Sequence, residues 1–140
     1  MPRSPLEVTG AFVAAINAMD LPALRFLMTN DHVFTDARGT VYAGADKMID
    51  GWQQFFYAYP KYWISIDSNF QSGSRVALFG TVGGKWRVNG TVVPGSWQAN
   101  AAFLAEVDRD RIRRWSIFCD TSWVSPPVQP EYPVPSIVEV

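Results

Sequence analysis

Pro60 divides this chain into two parts that obey different hydrophobic periods. Before it, apolar residues recur mostly at helical spacing. After it come runs rich in aromatic and β-branched residues, separated by glycine-containing turns, which is how strands read. Helices first and strands afterwards is an α+β order, in which the helices must lie on one face of a strongly curved antiparallel sheet. With 140 residues, the chain is long enough for one domain that buries roughly two-thirds of its unfolded surface.

The helical part is punctuated clearly. Ser4, Pro5 and Glu7 make an N-cap, a first-turn proline and a capping box, and Val8, Phe12, Ala15, Ile16 and Met19 follow as one buried stripe. Asp20 caps a shorter helix running to Met28, which Thr29-Asn30-Asp31 breaks. A third helix carries Met48, Ile49, Trp52, Phe55, Phe56 and Tyr59 at helical spacing up to Pro60. Beyond it, strands are expected over Tyr62–Phe70, Arg75–Val88, Thr91–Val107 and Arg111–Trp123. Gly80 and the Gly83-Gly84 pair predict a bulge or bend, and Asn89-Gly90 predicts a type I′ hairpin turn. Residues 1–123 thus form the domain. Residues 124–140, which hold half of the ten prolines, read as an extended tail that packs on something, a second subunit being one option.

Charge narrows the functional classes. The net charge is −1, and Asp108 and Asp110 interleave with Arg109, Arg111, Arg113 and Arg114, so no basic stripe exists for nucleic acid. One cysteine, Cys119, excludes an intrachain disulfide and fits a reducing compartment. No apolar run is long enough to span a bilayer, and Met-Pro-Arg-Ser-Pro-Leu-Glu has no signal-peptide core, so a cytoplasmic location is expected. One histidine and one cysteine make no recognisable zinc site, and phosphate-loop, serine-elbow and EF-hand patterns are absent from the sequence. Neither metal nor organic cofactor is implied. The 14% aromatic content predicts a thick core or a ring-lined pocket.

Chemistry concentrates between Asp31 and Gly44, just before the third helix. His32, Phe34 and Asp36 alternate and share one face of a strand, with Val33 and Thr35 on the other. His32 and Asp36 are then about 13 Å apart, too far for a direct bond. Asp36-Ala37-Arg38-Gly39 is also a good type I turn, so Asp36 reads either as a turn cap or as a carboxylate base. His32 reads as a wall residue or as a proton shuttle elsewhere in the cavity. Phe12, Trp52, Phe56, Trp97 and Trp115 are candidate substrate-binding rings, each with core packing as its plainer alternative. Trp97 and Asn100 are candidate hydrogen-bond donors, although Asn100 faces the cavity only if a bulge follows Pro94-Gly95.

Element order and small motifs together resemble the NTF2-like superfamily, in its ketosteroid-isomerase and SnoaL-like (polyketide cyclase) branch. The carrying residues are Ala14-Ala15-Ile16-Asn17-Ala18-Met19-Asp20-Leu21, the stretch Asp31 to Gly39, Tyr42-Ala43-Gly44, and Asp110-Arg111-Ile112-Arg113-Arg114-Trp115. The resemblance implies a cone of curved sheet with three N-terminal helices enclosing a pocket. It also implies a homodimer, a hydrophobic carbonyl-containing small molecule as partner, and Asp36 at the general-base position. Against that pattern, Phe12 stands where a tyrosine donor is expected, no carboxylate precedes Glu106 on the strand from Trp97, and Ile117 holds the cyclases' acid position. Two functions follow: a proton-transfer enzyme of isomerase or cyclase type with Asp36 and His32 in its site, or a non-catalytic binding or dimerisation module.

Overall fold

The computed structural model describes residues 3–127. Helix α1 (Pro5–Asn17) starts from the expected capping box: Glu7 N–H donates to the Ser4 hydroxyl at 3.1 Å, and Ser4 N–H to the Glu7 carboxylate at 2.9 Å. Asp20 caps α2 (Leu21–Leu27) by accepting from Ala23 N–H. Helix α2 ends one residue earlier than expected, and Thr29-Asn30-Asp31 already belongs to strand β1 (Met28–Thr35), which begins at once. Its hairpin partner β2 (Val41–Ala43) leads into α3 (Ala45–Ala58), which buries Ala45, Met48 and Trp52. Then come β3 (Trp63–Ser72), β4 (Arg75–Gly84), the short pair β5 (Arg87–Val88) and β6 (Thr91–Val92), β7 (Trp97–Asp108) and β8 (Arg111–Cys119).

Six strands form one sheet in the order β2-β1-β8-β7-β4-β3, while β5 and β6 make a separate ribbon. This is the α+β cone expected from the sequence, with one difference. The sheet is not wholly antiparallel, because β1 pairs with β8 in parallel. The two strands are far apart in sequence and no hairpin joins them, so nothing local imposes an antiparallel direction. Two expected strands are also shorter. The strand from Arg75 leaves the sheet after Gly84, and the last strand stops at Cys119, with Trp123 in a 3-10 turn (Ser122–Val124). Asn89 and Gly90 both have positive φ, 50° and 80°, as the predicted type I′ turn requires. The expectation that the tail packs on something falls mainly on residues 128–140, outside the described residues. No helix among the described residues is long and apolar enough to cross a membrane.

The bend of the sheet has a local cause. Pairing of β3 with β4 slips between Ile66 and Ser68, opposite Gly80. A Cβ at Gly80 would overlap the Ser65 carbonyl oxygen and the Ile66 Cα, so the bulge lies on β3 and Gly80 makes room for it. Asn17, the last residue of α1, then holds this edge strand. Its side-chain amide donates to the Ile64 carbonyl at 3.0 Å, and its carbonyl oxygen accepts from Ile64 N–H at 2.8 Å.

Beneath α1 the core is closed by Phe12, whose ring lies 5.0 Å from Trp115 and 6.0 Å from His32. His32 is fully buried there, and its Nδ1 sits 2.8 Å from the Ile112 carbonyl oxygen. A carbonyl only accepts, so Nδ1 carries the proton and Nε2 is a bare lone pair, with no partner among the described residues. Burial lowers the His32 pKa below its ordinary value, against a smaller opposing effect of the Ile112 carbonyl.

Two outcomes follow for stability. Gly80→Ala forces the edge of the sheet apart and costs about 1–3 kcal/mol in chemical denaturation. Gly10→Ala, at a helical site with open space around it, adds roughly 0.5–1 kcal/mol; equal stability of Gly80→Ala and wild type would refute this origin of the bend. For His32, the unfolded chain binds its proton near pH 6.5 while the folded chain resists until lower pH. Stability is therefore level with respect to this group above that value. It falls as pH drops through the window below, by at most about 1.4 kcal/mol per pH unit. Glu7 and Asp120, whose carboxyls are lowered chiefly by hydrogen bonds from Ser4 and Ser122, lose their contributions at lower pH, beneath the ordinary carboxylate values. His32→Gln keeps an amide donor for Ile112 and should flatten the curve just below pH 6.5; an unchanged slope would contradict the assignment.

Candidate functional site

The concave face of the sheet, α3 and the turn after β8 enclose a cavity of about 460 Å³, within the range of small-molecule sites. Sequence period decides which side chains enter it. Phe34 and Tyr42 oppose each other across the β1–β2 pair with rings 6.0 Å apart. From α3, Met48, Trp52, Phe55 and Tyr59 recur at helical spacing and form one wall. Phe103, Trp115 and Ile117 come from the inward positions of β7 and β8, and Trp123 from the 3-10 turn. Rings dominate this lining. Phe34 packs on Trp52 at 6.2 Å, Trp52 on Phe55 at 5.7 Å, and Phe55 on Tyr62 at 4.7 Å. Together with the Phe34–Tyr42 pair this makes a continuous row of rings from Tyr42 to Tyr62.

Asp36 stands at the Tyr42 end of that row, half-buried in the cavity wall. Its Oδ1 accepts from the N–H groups of Arg38 and Thr40, both at 2.9 Å, and Gly39 N–H donates to its carbonyl oxygen. This is the type I turn predicted by the sequence. Oδ2 is held only by a long contact, 3.5 Å, from the Tyr42 hydroxyl. The one side chain therefore has two environments: one oxygen anchored in its own turn, the other with room for a further partner. Arg38 lines the same rim.

Two of the predicted rings, Trp52 and Trp115, line the cavity with Asp36; the other candidates stand elsewhere. His32 shares the inward face with Phe34 and Asp36 but is sealed under Phe12, and neither residue lines the cavity. Phe56 packs on Trp52 at 5.4 Å without joining the lining. Trp97 is buried, with its indole N–H donated to the Lys85 carbonyl at 3.0 Å. Asn100 is exposed on the outer face, because alternation along β7 is unbroken from Trp97 to Glu106 and no bulge turns it inward. Neither proposed donor on that strand therefore serves the cavity. Asp120 is exposed and accepts from the Ser122 hydroxyl at 2.6 Å.

Residues outside the original candidate set complete the site: Tyr42, Phe55, Tyr59, Tyr62, Ile117 and Trp123. Phe55 and Tyr59 belonged to the readable helical stripe of α3. Tyr62 and Trp123 sit at a strand start and in a turn, where periodicity assigns no face. Trp123 stacks on Trp97 with centroids 4.1 Å apart and planes 10° from parallel. Its carbonyl accepts from the Trp86 indole at 2.7 Å, and the Val124 carbonyl accepts from the Tyr59 hydroxyl at 2.7 Å. Burial raises the Tyr59 pKa, with the Arg38 cation pulling weakly the other way. Burial likewise raises the Cys119 thiol, opposed by the Trp123 indole beside it. No group of three or more potential metal-ligating side chains occurs among the described residues.

The fold is shared with several solved structures. A protein from Catenulispora acidiphila with a ketosteroid isomerase-like fold, crystallised with trimethylamine, is 19% identical, with 86% of this chain and 89% of that one covered at a TM-score of 0.74. IdmH of Streptomyces antibioticus, a candidate polyketide cyclase, is 19% identical over 84% of this chain and 93% of its own, TM-score 0.73. An NTF2-like protein of Burkholderia thailandensis is 21% identical over 87% and 95%, TM-score 0.73. No curated protein matches the chain. The family model of the SnoaL-like domain matches residues 9–115, a span that includes most of α1, α2, the Asp36 turn, α3 and the sheet through Trp115, and the chain belongs to the SnoaL-like domain family.

Proposed function

We propose that the protein takes a hydrophobic, carbonyl-bearing small molecule into the cone and moves a proton on it, with Asp36 as the base. The observation that carries this reading is the split environment of Asp36: Oδ1 is fixed by two backbone N–H groups, while Oδ2, in the same ring-lined wall, has only the long Tyr42 contact. A fixed carboxylate at the edge of an apolar cavity suits abstraction of a proton from a carbon next to a carbonyl. The C–H proton passes to Oδ2, the electron pair moves onto the carbonyl oxygen as an enolate, and the same carboxylate returns the proton to carbon. His32 has no part in this step, being neutral and enclosed under Phe12.

A second reading, ligand binding without turnover, has its own support. Oδ1 is fully occupied in the turn, and Phe12 offers no donor to an enolate oxygen. Asp36→Asn separates the two readings because asparagine keeps an acceptor for the Arg38 and Thr40 N–H groups and loses only the base. On a panel of enolisable ketones, the first reading expects a rate loss of about 10²–10⁴-fold with unchanged thermal stability. Equal rates would remove Asp36 as the base and leave the binding reading.

The chain is also proposed to pair through the outer face of its sheet. Phe70, Phe79 and Phe118, which are 64%, 45% and 57% exposed, come from β3, β4 and β8 and give that face large apolar groups, more than a face built only for water needs. Sedimentation at micromolar concentration should give a dimer, and Phe79→Glu a monomer with an intact fold. A monomeric wild type would overturn the pairing.

A further inference from the structure

The cavity has a closed end and an open one, and burial tells them apart. Met48, Trp52, Tyr62, Phe103 and Trp115 are its buried lining and form an apolar floor. Its exposed lining consists of Arg38, Gly51 and Gln54, so these residues mark the mouth. The charged side chains of the lining are Asp36 and Arg38. They carry opposite signs and stand two residues apart in one turn, yet no ion pair joins them. The ion pairs among the described residues are Arg25 with Asp46, and Glu106 with Arg113 and Arg114. Arg87 is spent on the Tyr57 and Gly90 carbonyls. The Arg38 guanidinium has no hydrogen-bond or ion-pair partner among the described residues, and it is the cation that stands on the cavity.

Its place there is set without its side chain. Asp36 Oδ1 accepts from the Arg38 N–H at 2.9 Å, and the Asp36 carbonyl accepts from Gly39 N–H, so the turn fixes the Arg38 backbone at the mouth. The guanidinium is left to present its planar fork of donors, which stays charged at any physiological pH. Its field acts inward as well as on solvent: burial raises the Tyr59 pKa, and the Arg38 cation works against that rise. The Tyr59 hydroxyl itself is engaged with the Val124 carbonyl. Asp36, with Oδ2 in the wall, repels an anion that goes deeper, and the apolar floor gives a charge nothing to replace its water. A negative group is therefore favoured at the mouth and opposed everywhere else in the cavity.

From this arrangement we infer that Arg38 anchors a carboxylate of the ligand, so that the cavity takes an amphipathic organic acid in its anionic form. The apolar body lies among the rings, and the carboxylate stays at the mouth in a forked, charge-assisted hydrogen bond with the guanidinium. The inference rests on the cavity being the ligand site, as proposed above, and it narrows that ligand from an apolar carbonyl compound to one that also bears an acid. It also fixes direction: the acid end is held outward, and the rest of the molecule reaches inward past Asp36.

Two probes of nearly equal shape test it: biphenyl-4-carboxylate, which is an anion near neutral pH, and biphenyl-4-carboxamide, which is not. Binding of each is read by titration calorimetry at low salt. The wild type should prefer the acid by about 5–30-fold, the range of a charged hydrogen bond partly exposed to water. Arg38→Gln should erase that preference while leaving the amide's affinity unchanged, and Arg38→Lys, which keeps the charge but loses the fork, should restore part of it. Raising sodium chloride from about 20 to about 300 mM should weaken the acid in the wild type and not in Arg38→Gln, a response that a purely packing role would not produce. Equal affinities for acid and amide in the wild type, or a preference that survives in Arg38→Gln, would overturn the role of Arg38 while leaving the cavity as a binding site. Failure of both probes to bind the wild type would overturn the ligand-site reading and, with it, this one.

Discussion

Closure of the cone depends on one reciprocal pair of hydrogen bonds, between the Asn17 side chain and the backbone of Ile64. Strand β3 is the edge of the sheet, and an edge strand presents backbone groups that must be satisfied or left to water. Asn17 ends α1 and supplies both a donor and an acceptor, so it acts as one residue of a missing neighbouring strand. The bond reaches β3 two residues before the Ile66–Ser68 bulge, where the sheet bends over the helix. If the edge were loose there, α1 would lose its seat on β3.

This dependence also explains which parts of the fold were legible in the sequence. Caps such as Ser4–Glu7 and Asp20, and turns such as Asn89-Gly90 and Asp36–Gly39, are local chemistry and could be read directly. Glycine at position 80 pointed to irregular geometry, but the extra residue lies on the facing strand, because glycine there provides space and the partner takes it up. The parallel pairing of β1 with β8 had no local signal. Its partners are about eighty residues apart, and the His32–Ile112 contact that fastens it looks, in sequence, like an isolated histidine near an acid.

The site was legible to a lesser degree, for the same reason. Alternation placed Phe34 and Asp36 on the inward face with His32, yet one face of a long strand passes through two environments. His32 lies under α1 in the core, and Asp36 has moved past it to the rim. Helical spacing put Trp52 on the face that lines the cavity but could not separate the inward ring of Phe55 from that of Phe56, one residue away on the same helix. Alternation on β7 was strict, and that strictness took Asn100 out of the site.

The far wall is held by a different logic. Trp123 stacks on Trp97, but the turn that carries it is tied through its backbone: the Trp123 and Val124 carbonyls accept from the Trp86 indole and the Tyr59 hydroxyl. Backbone acceptors exist whatever side chain a position carries, so the path of this turn is fixed independently of what residues 123 and 124 present to the cavity. Asp36 is built the same way, since its turn is set by backbone bonds and one carboxylate oxygen, leaving the second oxygen with little to do for folding. In both places the scaffold is secured by groups other than the atoms facing the cavity. The lining can therefore differ from that of a distant relative with the same cone without disturbing the fold, and similarity of fold at about one-fifth identity says little about which oxygen, ring or base meets a ligand.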